Sequence, residues 1–251
     1  MANVVEIAPD LYRISWFWPE IDLQFNHFLL NDDEPLLFTT GYRRTFPELH
    51  GAVSQIIPPS RIRWISFSHF ESDECGALNE WLTAAPNAEP VCSLTGAYVN
   101  VTDFANRSPR PLVDGDVLAI GKYSLRFCHT PHLPHGWDAG MLFEEKHKTL
   151  LCSDLFHQAG DCEPLTRSDV IARAREALVI MNASPMPCYI PWCPYTGGLL
   201  EKLAKLRPET LAIMHGSSFA GNGEKAIQDL ALVMKEVLCD RDTPSANDRA
   251  A

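Results

Sequence analysis

The chain has 251 residues, 46% hydrophobic and 21% charged, with a formal net charge of −11 and a pI of about 5.2. Such a composition builds a globular protein with a sizeable core. Its acidity argues against a nucleic-acid or anionic-membrane partner, since both need basic patches. No run of about 18 apolar residues occurs, so no membrane span is expected. The start, Met1-Ala2-Asn3-Val4-Val5-Glu6, lacks the basic-then-apolar order of a signal peptide, and the cytoplasm is the expected compartment. The eight cysteines include no C-x-x-C pair and read as free, mostly buried thiols in a reducing compartment.

In chain order, residues 4–18 read as two strands about a turn at Pro9-Asp10, the second from Leu11 to Trp18. Asn26–Leu30 and Pro35–Gly41 continue a β-meander. Phe46–Ile57 reads as a helix stopped by Pro58-Pro59, and Trp64–Phe67 as the next strand, completing a β-α-β unit. A helix over Glu74–Ala85 follows, then a strand over Val91–Leu94 and a short helix over Thr95–Asn106. Pro109-Arg110-Pro111 marks a loop. Val117–Ile120 and Tyr123–Cys128 alternate as a hairpin, and His129–Trp137 is a loop carrying three histidines. Gly140–Phe143 and Thr149–Asp154 are strands, and Asp169–Met181 is a helix. Ala183–Gly197 is a proline-rich loop suited to a lid or a dimer contact. A helix over Leu199–Leu206, a strand over Thr210–Met214 and a closing helix over Glu224–Leu238 complete a single domain over 1–251, with a frayed tail over 240–251.

The chemistry-bearing residues fall at strand ends. His69, Glu71, Asp73 and Glu74 crowd six positions between the strand at Trp64–Phe67 and a helix. In an extended turn alternate residues point the same way, so His69, Glu71 and Asp73 can converge. Read alone, this stretch also fits a solvated acidic helix cap. Asp154 ends one strand, His215 follows another, and His135 sits in a loop after a third. Catalytic loops on rigid scaffolds are placed in this way. His27, alone in a strand, reads as a hydrogen-bonded core or edge residue, and His129, His132, His147 and His157 read as bystanders.

On these residues the chain resembles the metallo-β-lactamase superfamily, and more closely its di-iron branch, the flavodiiron and oxygen-binding di-iron proteins. The branch carries H-x-E-x-D-H, a distant His, a bridging Asp and a last His. Here the first block is His69-Phe70-Glu71-Ser72-Asp73-Glu74, the bridging Asp resembles Asp154 in Leu151-Cys152-Ser153-Asp154, and the last His resembles His215 in Met214-His215-Gly216. The distant His resembles His135 better than His132, because Gly136-Trp137-Asp138 follows it. Two positions depart from the pattern. Glu74 replaces the His after the Asp, which leaves it open as a ligand, a group behind the ligands or a cap. Thr39-Thr40-Gly41 replaces the family's Asp-Thr-Gly.

The resemblance implies an α/β fold, the αββα sandwich of the metallo-β-lactamase type, with two mixed β-sheets flanked by helices. It implies one metal on His69, Glu71 and His135, a second on Asp73 and His215 with Glu74 as a further candidate, and Asp154 bridging. Carboxylate and imidazole donors suit iron or manganese, and Glu71 in place of the hydrolases' second His favours two Fe ions over Zn. The implied ligand is O2 or NO, bound or reduced. No flavin domain is expected in this chain, so turnover would draw on a separate electron-donor protein. A homodimer is inherited from the family. The alternative is a binuclear Zn or Mn metallohydrolase acting on an ester, thioester or lactone; a metal-free binding module is a third reading. Trp16, Phe17, Trp18, Phe25, Phe70 and Trp137 are candidates for an apolar pocket beside the metals, though for any single one of them plain core packing is the better-favoured reading.

Overall fold

The computed structural model describes residues 2–239; the expected frayed tail at 240–251 lies outside them. Two seven-stranded sheets stack face to face. The first holds β1 (Asn3–Ala8), β2 (Leu11–Trp18), β3 (Leu23–Leu30), β4 (Leu36–Phe38), β5 (Trp64–Ser66), β6 (Glu89–Ser93) and β7 (Arg110–Leu112), in that spatial order. The second holds β8 (Val117–Ala119), β9 (Ser124–His129), β10 (Gly140–Glu144), β11 (Thr149–Ser153), β12 (Leu165–Thr166), β13 (Thr210–Ile213) and β14 (Ser218–Ala220), ordered β12-β14-β13-β11-β10-β9-β8. Both are mixed: β1 to β4 pair antiparallel and β4 to β7 parallel, while β11 pairs parallel with β13 inside an otherwise mostly antiparallel sheet.

Helices cover the outer faces. On the first sheet lie α1 (Phe46–Val53), α2 (Ser72–Cys75) and α3 (Leu78–Ala84), followed by a helical stretch of α4 (Leu94–Gly96), a π turn over Ala97–Val101 and α5 (Thr102–Phe104). On the second lie α6 (Ile171–Ala183), α7 (Thr196–Ala204) and α8 (Gly223–Cys239). Helix α8 buries Ala226, Ile227, Leu230, Met234 and Val237, a one-sided stripe at helical spacing. Phe28, Leu36, Phe38 and Trp64 meet Leu125, Phe127, Leu142 and Leu151 in one buried cluster between the sheets. A second cluster joins sheet one to α1 and α3, and a third joins sheet two to α6, α7 and α8. The four-layer αββα expectation is therefore met.

Several local expectations are corrected. Pro109-Arg110-Pro111 does not form a loop: Arg110–Leu112 is the edge strand β7, paired parallel with β6. An edge is where proline's missing N–H costs least. The helix expected over Glu74–Ala85 starts at Ser72 and is split at Gly76, where a Cβ would meet the Ser72 carbonyl oxygen at 2.2 Å. The helix from Phe46 ends at Val53 rather than Ile57. The short strands β12 and β14 were not expected at all.

His27 is 2% exposed, with Nδ1 2.9 Å from Thr39 Oγ1. Burial, helped by the charge of His215, pulls its pKa from 6.5 down to about 3. The unfolded chain therefore binds a proton between these values that the folded chain refuses, so this contribution rises with pH and is lost as pH falls below 6.5. Acid denaturation of the metal-free protein should steepen there by up to about 1.4 kcal/mol per pH unit. His27→Asn, which keeps a donor for Thr39, should remove that increment; an unchanged slope would show that His27 is not its source.

Candidate metal centre

The loop after β5 enters the site as extended backbone and becomes α2 at Ser72. Glu71 at its threshold is extended (φ −141°, ψ 159°), so His69 and Glu71 face one way. Asp138 fixes the approach by accepting the Phe70 N–H at 2.9 Å. Asp154 arrives one residue beyond β11, and His215 two residues beyond β13, on a turn continued by Gly216 at φ +102°. A Cβ at Gly216 would meet Gln158 Cβ at 2.5 Å, so the turn requires glycine.

His69, Glu71, His135 and Asp154 each present a donor atom within 4.8 Å of the others. His135 Nε2 stands 2.7 Å and His69 Nε2 3.0 Å from Glu71 Oε2, and both stand 3.6 Å from Asp154 Oδ2. On the other side of the same carboxylate, His215 Nε2 lies 3.0 Å from Asp154 Oδ1 and 3.6 Å from Asp73 Oδ2. Asp154 thus faces both groups, one oxygen each. His215 is oriented by Nδ1 donating to the Gln24 carbonyl at 2.9 Å. His135, not His132, enters the cluster; the His132 ring stands 6.3 Å from Tyr195 instead.

Glu74 is placed differently. It is fully buried and takes the Ser68 N–H on Oε2 at 3.0 Å and the Ser153 hydroxyl on Oε1, behind the His69 ring. Thr39, in the position of the family's Asp, binds His27.

The charges reinforce one another. Hydrogen bonds from His135 and His69 hold the Glu71 carboxyl down at about 2. Burial would lower His69 and His215, but Glu71, Glu74 and Asp154 outweigh it at His69, and Asp154 and Asp73 at His215, lifting the rings to about 10 and about 9. Burial, then the charge of Asp154, raises Asp73 to about 6. Asp154 Oδ1 and the Nδ1 atoms of His69 and His135 are buried without an aligned hydrogen-bond partner. Three carboxylates and three imidazoles drawn together, with a buried lone pair left over, fit divalent cations of intermediate hardness.

Two residues beside the centre were not anticipated. The His157 ring lies 4.7 Å from the His215 ring and tilted by 40° to it, and Tyr189 lies 5.0 Å from the His135 ring with its hydroxyl 3.3 Å from His157 Nδ1. Tyr189 comes from the proline-rich segment and His157 follows Asp154 by three residues; neither position carries a local pattern that would reveal it. Both line a cavity of about 380 Å³ reaching the cluster, together with Phe25, Tyr42, Ile180 and Met181. Of the aromatics named from sequence, Phe25 packs edge-on at 5.1 Å from the His215 ring, whereas Trp137 is largely exposed.

A two-sheet αββα sandwich with a His/carboxylate cluster beyond the ends of β5, β11 and β13 defines the metallo-β-lactamase type of fold with a candidate metal centre. The family model described as "ODP family beta lactamase" matches residues 23–216, and the chain belongs to that family. It is 26% identical over 201 residues to the rubredoxin-oxygen oxidoreductase of Megalodesulfovibrio gigas, covering 78% of this chain and 49% of that protein. To the nitric oxide reductase of Moorella thermoacetica it is 29% identical over 140 residues, 53% of this chain and 34% of that one. The chain spans a third to a half of the length of these relatives. Among solved structures, the Desulfovibrio gigas rubredoxin oxygen:oxidoreductase superposes with a TM-score of 0.76 at 19% identity, over 92% of this chain and 61% of that one. The 1–254 fragment of putative diflavin flavoprotein A 5 from Nostoc sp. PCC 7120 gives 0.77 at 18% identity, over 94% and 96%. At these identities the structural likeness concerns the fold. Among the described residues no helix is long and apolar enough to cross a membrane.

Proposed function

We propose that the chain is a binuclear iron protein that binds or reduces O2 or NO. The observation that carries this reading is the placement of Asp154 between two donor groups, His69–Glu71–His135 on one oxygen and Asp73–His215 on the other. The names of the relatives, an oxygen oxidoreductase and a nitric oxide reductase, support the choice of diatomic. One metal would sit on His69, Glu71, His135 and Asp154, and the second on Asp73, Asp154 and His215. Two ferrous ions would supply two electrons to a bound diatomic, and full reduction of O2 to water would need two more from a separate donor.

The surrounding residues have definable roles in this reading. Phe25, Ile180, Met181 and the Tyr189 ring line the approach with apolar surface, favouring an uncharged diatomic over hydrated anions. Burial, with the Asp154, Asp73 and Glu71 charges, lifts the Tyr189 hydroxyl well above its ordinary range, so it keeps its proton and stands as a hydrogen-bond donor at the cluster. His157, held neutral by burial with a pKa of about 3, orients that hydroxyl.

Anaerobic metal analysis followed by the visible spectrum before and after O2 tests the reading. The expected result is about two irons per chain and a new band on exposure. A band that reverses when O2 is removed marks binding; one that bleaches with electron uptake marks reduction. Two zincs with no response to O2 would overturn the proposal and direct attention to ester, thioester and lactone hydrolysis.

A further inference from the structure

We infer that Glu74 is a positioning carboxylate for His69 and not a ligand of either metal. With metal bound it would receive the His69 Nδ1–H, hold the ring with Nε2 toward Glu71 and Asp154, and leave the second metal with protein donors from Asp73, Asp154 and His215 alone. The inference rests on the binuclear reading above and decides the role of the one position where the first block departs from the family pattern.

Three observations carry it. First, Glu74 approaches His69 from the wrong side to be a ligand. Its Oε1 is 3.9 Å from His69 Nδ1, while the cluster gathers on Nε2, 3.0 Å from Glu71 and 3.6 Å from Asp154. Asp73 and Glu74 are successive residues of α2, so their side chains diverge by about 100°. Asp73 turns toward His215, and Glu74 turns inward beneath the loop.

Second, Glu74 does not cap its own helix. A capping carboxylate accepts from the first N–H groups of the helix it precedes. The Glu74 side chain instead takes the Ser68 N–H at 3.0 Å and the Ser153 hydroxyl, so it joins the strand end that carries His69 to the one that carries Asp154.

Third, His69 Nδ1 is buried without a partner. A histidine that ligates through Nε2 must carry its proton on Nδ1, and a buried donor left unpaired is costly. The 3.9 Å gap exceeds an N–H···O bond by about 1 Å. In this structure the ring is drawn toward Glu71 through Nε2 at 3.0 Å, and the Glu74 carboxylate is the charged group that faces its Nδ1. A carboxylate behind a ligating histidine fixes its tautomer and raises its basicity.

The consequence is an asymmetric centre. The first metal gains a tightened His69 within a set of four donors, and the second keeps three. Ferrous iron added anaerobically to the metal-free protein should bind in two resolved steps, the second at least about tenfold weaker. Glu74→Gln keeps the shape of the side chain and should weaken the first step about 10- to 100-fold, the usual cost of losing such a partner, with the second step changed less than the first. A measurement on the unmutated protein guards against misfolding of the variant. In the Zn(II)-loaded, histidine-15N-labelled chain, His69 should show a protonated Nδ1 and a metal-bound Nε2. Loss of the second step in Glu74→Gln with the first intact, no change in either step, or metal on His69 Nδ1 would each overturn the inference. Fewer than two irons taken up by the unmutated protein would instead overturn the binuclear reading, and the inference with it.

Discussion

Asp154→Ala should give a protein that folds but retains neither metal. The Asp154 carboxylate is 2% exposed, and its two oxygens face different donor groups: Oδ1 toward His215 at 3.0 Å, Oδ2 toward His69 and His135 at 3.6 Å. On the binuclear reading proposed above, losing any other donor should weaken one metal and losing this one should weaken both. Each affinity should fall by more than the 10- to 100-fold typical of a partner behind the ligands. His215 also loses the neighbour that contributes most to keeping its ring protonated in the metal-free state. Iron per chain, measured by elemental analysis beside a circular dichroism control, checks the expectation. A folded variant holding two irons would refute the bridging role, and one holding a single iron would reassign Asp154 to one metal.

Trp81→Ala should be the most damaging change away from the centre. Trp81 is 1% exposed, packs edge-on at 5.2 Å from the Phe46 ring, and donates its indole N–H to the Thr40 carbonyl at 3.0 Å. Truncation leaves a large cavity and an unpaired carbonyl. The expected loss is about 3–5 kcal/mol, against a total stability of roughly 5–15 kcal/mol for a folded chain. At about 2–4 °C per kcal/mol for this size, Tm should drop by roughly 6–20 °C. Trp81→Phe keeps most of the packing and should cost about 1–3 kcal/mol through the unpaired carbonyl. Chemical denaturation of the two variants separates these contributions; a loss below about 1 kcal/mol for Trp81→Ala would show that the site relaxes to fill the void.

The strand-end residues were readable because their signal is local. A short apolar strand, a polar turn and a periodic helix are written in consecutive residues, and His69, Glu71 and Asp73 sit inside that pattern. Asp154 and His215 close strands in the same manner. Other features depend on contacts that no window contains. Tyr189 reaches the His135 ring from a proline-rich segment that reads as a loop, a lid or a dimer contact, with nothing in it that singles out Tyr189 for the cluster. The three-residue β14 and two-residue β12 are too short for alternation to register. Prolines at 109 and 111 masked β7, because composition does not reveal whether a strand will lie at an edge. Glu74 was visible as a residue type, but its direction follows from the packing of α2 beneath the loop.

The two sheets divide the chain at its middle. Every strand of the first comes from residues 3–112, and every strand of the second from 117–220. His69, Glu71 and Asp73 belong to the first part; His135, Asp154 and His215 belong to the second. The centre is therefore a seam, and neither half can assemble it alone. His69 and His215 must be brought together across most of the chain, and that closure carries its entropy cost before any ion can reward it. If the centre holds metal as proposed, capture should follow the docking of the two layers, because its donors come from both.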